Sequence, residues 1–134
     1  MGLTLLDSSA IAALLRRGDL LHAAADGAVR DAARRGTIAV SVITIAEVLT
    51  GAQIGHHEDS LVRQFFQRAV PTHYPVDDEV AVAAAALRGR VRSLRLPDAL
   101  ILATADLHAD AVITGDARWA SVEGLACDVR LLSA

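Results

Sequence analysis

Leu94-Arg95-Leu96-Pro97-Asp98-Ala99-Leu100-Ile101-Leu102-Ala103-Thr104-Ala105 is the run on which the reading of this chain turns. Pro97 suits the first residue of a helix, where its fixed φ is preorganised and its missing N–H costs nothing. Behind it, Ala99, Leu100, Ile101, Leu102, Ala103 and Ala105 leave almost no polar face, so this helix is expected to be buried. A carboxylate, Asp98, nevertheless stands at its mouth. A buried charge without partners is too costly to keep. Free N–H groups at the helix start, an arginine or a metal ion would each serve, and the helix dipole alone is sufficient reason for an acid here.

Beyond this helix, Ala111-Val112-Ile113-Thr114 reads as a buried strand closed by Gly115-Asp116. The same arrangement opens the chain. Leu3-Thr4-Leu5-Leu6 reads as a strand, Asp7 ends it, and Ser8 or Ser9 is expected to cap a helix over residues 10–15. Leu20 to Arg35 reads as a second helix closed by Gly36, followed by a strand at Thr37-Ile38-Ala39-Val40. Ser41 then caps a helix carrying Glu47, one turn from Thr44 on the same face. His56-His57-Glu58-Asp59 reads as the solvated start of a further helix. Adjacent histidines point apart on a helix, and no Cys or third His stands near to complete a zinc site. Residues 71–76 read as a short strand or loop. Asp77-Asp78-Glu79 opens an Ala-rich helix from Val80 to about Val91, and Asp128–Leu132 reads as a last short strand.

Strands alternating with helices call for a mainly parallel sheet of four or five short strands covered on both faces, a three-layer α/β/α sandwich. Right-handed crossovers place all the strand carboxyl ends on one edge, where such sheets form their sites. The 134 residues suit one domain. The composition, 53% hydrophobic and 3% aromatic, supports Ala-rich helices packed on a β-branched sheet and excludes disorder. Cys127 stands alone, so no internal disulfide forms and a reducing, cytoplasmic setting is expected. No apolar run reaches membrane-spanning length, and no basic segment followed by an apolar run marks a secretion signal. So much apolar surface on a small chain leads us to expect a homodimer.

The net charge of −3 gives no general pull toward nucleic acid. The distribution is uneven. Every basic residue other than His is Arg, and residues 61–100 hold six Arg against four acids, with Arg88, Arg90, Arg92 and Arg95 just before Pro97. Arg92 and Arg95 are candidate contacts to a phosphate backbone, although any single Arg there also reads as a solvated helix end.

Asp7 and Asp116 end strands on the same edge, Asp98 begins a helix that can start there, and Glu47 can reach it. Four acids in one crevice repel one another unless a cation sits among them. Mg²⁺ or Mn²⁺ suits an all-oxygen donor set and a phosphate substrate. Such an ion can activate water for attack on a phosphodiester. No Gly-rich phosphate loop, Ser-His-Asp spacing or dinucleotide fingerprint competes.

These features, in this order, resemble the PIN-domain ribonucleases, in particular the VapC-type toxins of bacterial toxin–antitoxin pairs. The residues that carry the resemblance are Asp7-Ser8-Ser9, Thr44 to Gly51 around Glu47, Leu94 to Ala105 around Asp98, and Thr114-Gly115-Asp116. The resemblance implies that Asp7, Glu47, Asp98 and Asp116 are catalytic and bind one or two Mg²⁺ or Mn²⁺ ions, with Ser9 and Thr114 holding those ligands. It further implies RNA cleavage by metal-activated water, homodimerisation, and an antitoxin partner that blocks the site. The family usually has Phe shortly after the last acid; Trp119 stands here, and a core or subunit contact is its expected role. A phosphohydrolase of small esters, a DNA nuclease, and a non-catalytic binding module whose acids merely cap helices are the alternatives.

Overall fold

The computed structural model describes residues 2–134. Five strands, β1 (Gly2–Leu6), β2 (Gly36–Ser41), β3 (Thr72–Tyr74), β4 (Ala111–Thr114) and β5 (Asp128–Leu131), form one sheet in the order β3-β2-β1-β4-β5. Every pairing is parallel, with Leu5 opposite Ala39 and Val112, and Thr114 opposite Leu131. The chain winds from β1 outward to β3, then crosses to β4 and β5 on the other side. Strand order therefore reverses between β1 and β4, and the crevice outside their carboxyl ends is where an open α/β sheet receives its ligand.

Six helices cover the sheet: α1 (Ser8–Leu15), α2 (His22–Arg35), α3 (Val42–Gln53), α4 (Asp59–Gln64), α5 (Asp78–Arg90) and α6 (Leu96–His108). A π turn at Phe65–Ala69 continues α4, and a 3₁₀ turn at Ala117–Ser121 follows β4. Successive strand residues face opposite sides. Leu6, Ile38, Val40 and Ile113 pack with α1 to α4 in one core; Leu5, Ala39 and Val112 pack with α5, α6 and Trp119 in the other. This is the expected three-layer α/β/α sandwich, its sheet wholly parallel. Alanines at 84, 99, 103 and 105 are all but fully buried in the second core, where their small side chains let α5 and α6 approach closely.

Several local readings change. Arg95 is the N-cap residue of α6, so Leu96 is its first residue and Pro97 its second. Proline is tolerated there too, since no N–H in the first turn has a helical partner. Asp7, not Ser8 or Ser9, caps α1: its Oδ1 accepts from the Ser8 N–H at 2.7 Å. The residues at 56–58 precede α4 rather than begin it, and His57 is half-buried instead of solvated. The polar run still ends at a helix, since Asp59 opens α4. Trp119 is fully buried, as a core aromatic should be.

Candidate active site

Asp7 leaves the end of β1 with its N–H donating to the Ile113 carbonyl of β4 at 3.0 Å, which seats the residue at the point of strand-order reversal. The residue is 4% exposed. Three donors hold it. Besides the Ser8 N–H on Oδ1, the hydroxyls of Ser9 and Thr114 both donate to Oδ2, at 2.8 and 2.7 Å. Each hydroxyl also accepts from the β4 turn, Ser9 from the Gly115 N–H and Thr114 from the Asp116 N–H, at 2.8 and 3.0 Å. Both hydroxyl protons are thereby directed at Asp7. Burial raises the Asp7 pKa above the ordinary carboxylate value, the Thr114, Ser9 and Ser8 hydrogen bonds oppose that rise, and the nearby negative charge of Asp98 adds to it.

Glu47 is half-buried on α3 and reaches the start of α1, where the Ser8 hydroxyl donates to its Oε1 at 2.6 Å. It faces the sheet edge rather than open solvent. Ser8 thus joins Glu47 to Asp7, donating from its hydroxyl to the first and from its backbone N–H to the second. That link was not legible in advance, because the partners lie 39 residues apart and meet only when α1 packs on α3.

Asp98, 8% exposed in the first turn of α6, has the Arg95 guanidinium at 3.4 Å. The Arg95 side chain is 68% exposed, so this pair contributes under about 1 kcal/mol. The Asp98 charge is felt both at Asp7 and at Arg118. Asp116 caps the 3₁₀ turn, accepting from the Arg118 N–H at 3.0 Å, and the Arg118 guanidinium clasps both its oxygens, the shortest contact being 2.6 Å. These hydrogen bonds lower the Asp116 pKa below the ordinary value, with the positive charges of Arg118 and Arg95 acting the same way against partial burial. Arg118 escaped sequence reasoning. The only signal was its place two residues after an acid at a strand end.

Asp98 and Asp116 each lean on an arginine, while Asp7 and Glu47 share Ser8. Among the described residues, no three Asp, Glu, His or Cys side chains stand together as a group that could hold a metal ion. The donor chemistry itself, four carboxylates with hydroxyls and no thiolate or imidazole among them, fits a hard divalent cation. Repulsion among the acids is also less severe than their number suggests, because arginines offset Asp98 and Asp116. Of the two arginines read as RNA contacts, Arg95 is engaged with Asp98, and Arg92 is exposed in the loop before α6.

A family model described as PIN domain matches residues 4–125. This chain belongs to the PIN-domain family. Solved structures agree. A toxin–antitoxin complex from Klebsiella pneumoniae is 30% identical, with 88% of this chain and 90% of that one covered at a TM-score of 0.69. VapBC2 from Rickettsia felis, bound to a DNA fragment from its promoter, is 13% identical and superimposes at 0.79 over 98% and 99% of the two chains. Mycobacterium tuberculosis VapC20, a toxin that cleaves the sarcin–ricin loop, is 18% identical, with a TM-score of 0.71 over 93% and 98%. At those lower identities the likeness is one of fold. No curated protein matches the chain by sequence. No described helix is long and apolar enough to cross a membrane.

Proposed function

We propose that this PIN-domain protein is a metal-dependent endoribonuclease and the toxin half of a toxin–antitoxin pair. One observation carries the reading. A buried carboxylate, Asp7, is kept among three converging donors at the sheet's reversal point, within reach of a second acid's charge. Packing alone gives no reason to maintain so costly a group. Asp7, Glu47, Asp98 and Asp116 would hold Mg²⁺ or Mn²⁺, which supplies an activated water and steadies charge on the phosphodiester. The chain's own residues do the rest. Ser9 and Thr114 fix the Asp7 carboxylate with its lone pairs aimed, and Ser8 tethers Glu47. The exposed Arg92 offers charge to the RNA backbone. The toxin–antitoxin complexes among its structural neighbours support an antitoxin partner, and self-association into a homodimer is part of the proposal. The reducing interior of a cell is the expected setting.

The test is incubation of the purified protein with structured RNAs, with and without Mn²⁺. Cleavage that needs Mn²⁺, stops with EDTA and is lost in Asp98→Asn is expected. Metal-independent cleavage, or full activity in Asp98→Asn, overturns the proposal. DNA and small phosphate esters in the same assay separate the ribonuclease from its phosphohydrolase alternatives, and light scattering reads the dimer.

A second reading has an observation in its favour: Asp7 and Asp116 both cap helical turns, so each has a structural duty without any metal. A non-catalytic binding module would follow if calorimetry detects no Mn²⁺ uptake and Asp7→Asn leaves the metal titration unchanged.

A further inference from the structure

The loop that leaves α3 folds back over that helix. Beside Glu47 it borders a shallow, open cavity of about 260 Å³, lined among others by Ser8, Glu47, Val48, Gly51, His56 and His57. Ser8 and Glu47 belong to the acidic site, so whatever enters the cavity lies against the Glu47 carboxylate. The His57 ring lies over Gly51. A Cβ at position 51 would stand 3.1 Å from the ring's Cδ2 and 3.4 Å from its Nε2, tighter than ordinary contact. The missing side chain at Gly51 is what lets the imidazole settle there. Its Nδ1 is shielded from solvent and has no hydrogen-bond partner, an exception to the rule that buried polar atoms are paired. Burial first, then the charges of Arg16 and His56, lower the His57 pKa. That shift favours the uncharged imidazole.

An uncharged flat ring, an aliphatic wall at Val48 and a hydroxyl at Ser8 make a poor phosphate site and a good one for a planar heterocycle. The cavity is smaller than the roughly 300 Å³ at which drug-sized sites begin. Proteins read single-stranded RNA by splaying bases onto aromatic rings, histidine included, and by hydrogen-bonding their edges. We propose that this cavity receives one unpaired base of the RNA beside the cleaved phosphodiester, and that His57 is the specificity-determining residue that contacts it. The proposal rests on the ribonuclease reading above.

The test separates the two. Fluorescein-labelled single-stranded RNA hexamers are titrated against the full chain in EDTA, where cleavage cannot intervene, and affinity is read by anisotropy. His57→Ala is expected to weaken binding about 10-fold, the loss typical of one stacked base. His57→Phe keeps a stacking face and should stay within about 3-fold of wild type. A hexamer with an abasic residue at the sensitive position should bind wild type weakly and His57→Ala no more weakly. With Mn²⁺ present, His57→Ala should lose base preference next to the cut. Unchanged affinity and preference in His57→Ala, with wild type cleaving normally, overturns the cavity and spares the nuclease. His57-dependent binding without metal-dependent cleavage does the reverse. A wild type that neither binds nor cleaves RNA removes both. If His57→Ala fails to fold by circular dichroism, His57→Phe and the abasic hexamer decide the matter.

Discussion

Asp7 and Asp116 end neighbouring strands of one sheet, joined by two hydrogen bonds along the path Asp7 Oδ2–Thr114 Oγ1–Asp116 N, and their surroundings are opposites. Asp7 is buried and held by hydroxyl and amide dipoles, and its pKa is raised. Asp116 lies at the rim, gripped by a formal positive charge, and its pKa is lowered. The difference teaches how the site divides its labour. Dipoles fixed by the fold cannot leave, so Asp7 stays aimed whether or not a cation is present. A guanidinium on a 62%-exposed side chain can swing away, so Asp116 can exchange partners. Neighbouring carboxylates whose environments push their pKa values apart are a recurring feature of sites that manage charge and protons.

The largest expected effect tests the fixed member. In Asp7→Asn, RNA cleavage should fall by roughly 10²- to 10³-fold, the scale of losing one preorganised electrostatic group. Stability should barely move. The Ser9 and Thr114 hydroxyls already accept from backbone N–H groups and must donate to position 7, and Ser8 N–H donates there as well. An amide group satisfies two of those donors and opposes the third, a cost of about 1–3 kcal/mol. Removal of a desolvated charge offsets it, so urea unfolding should agree with wild type within about 1 kcal/mol. A drop beyond about 3 kcal/mol would mean that the charge itself is needed by the fold, and the contrast with Asp116 would collapse.

Next comes the bridge between the two. Thr114→Val keeps the shape of a fully buried residue but removes the hydroxyl. The Asp116 N–H loses its acceptor and Asp7 one of its three donors. A loss of about 1–3 kcal/mol is expected in denaturant unfolding. The Asp7 pKa should climb further, moving the acid limb of the cleavage profile to higher pH. Ser9→Ala removes an equivalent bridge from a less buried position and should cost less. Equal pH profiles in wild type and Thr114→Val would show that the hydroxyl does not stabilise the Asp7 charge.

The sign of pH dependence distinguishes the two acids again. Asp7 binds its proton more tightly folded than unfolded, so its contribution to stability declines as pH rises from the ordinary carboxylate value, 3.8, through its raised folded pKa. Asp116 does the opposite: its contribution is present above 3.8 and is lost as pH falls through its lowered folded pKa. Urea unfolding followed from pH 6 down to pH 3 should show the stability difference between Asp7→Asn and Asp116→Asn change in favour of Asp116→Asn as acid is added. A difference independent of pH would remove both assignments.

Much of this was legible before any coordinates. Alternating apolar strands and helices dictated a parallel sheet, and strand-end position put Asp7 and Asp116 on one edge. β3 was the least legible strand, because three residues, none of them buried, give period-two alternation no length to register. The start of α6 was misplaced by one residue because the first helical turn accepts proline at more than one position. The acids were readable and their partners were not. Ser8 meets Glu47 only through the packing of α1 on α3, and Arg118 meets Asp116 only because a 3₁₀ turn bends the chain back after β4. His57 read as solvated because the absence of a side chain at Gly51, six residues earlier, has no visible consequence until the loop closes over it.

The smallest expected effect tests the releasable member. Arg118→Ala removes the guanidinium from both oxygens of Asp116 and leaves the backbone N–H of position 118 on Oδ1, so the pKa should rise toward the ordinary value. An exposed pair contributes little to folding, so stability should fall by less than about 1 kcal/mol. If the guanidinium stands where a cation would otherwise bind, its removal should tighten Mn²⁺ binding, by up to about 5-fold for an interaction of that size. Calorimetry of Mn²⁺ into wild type and variant decides the sign. Tighter binding means that Arg118 and the cation compete for Asp116, and that the arginine neutralises the acid only while no cation is there. Weaker binding means that Arg118 aims the carboxylate as Thr114 aims Asp7, and the two strand ends would then differ in the charge of their partner but not in their role.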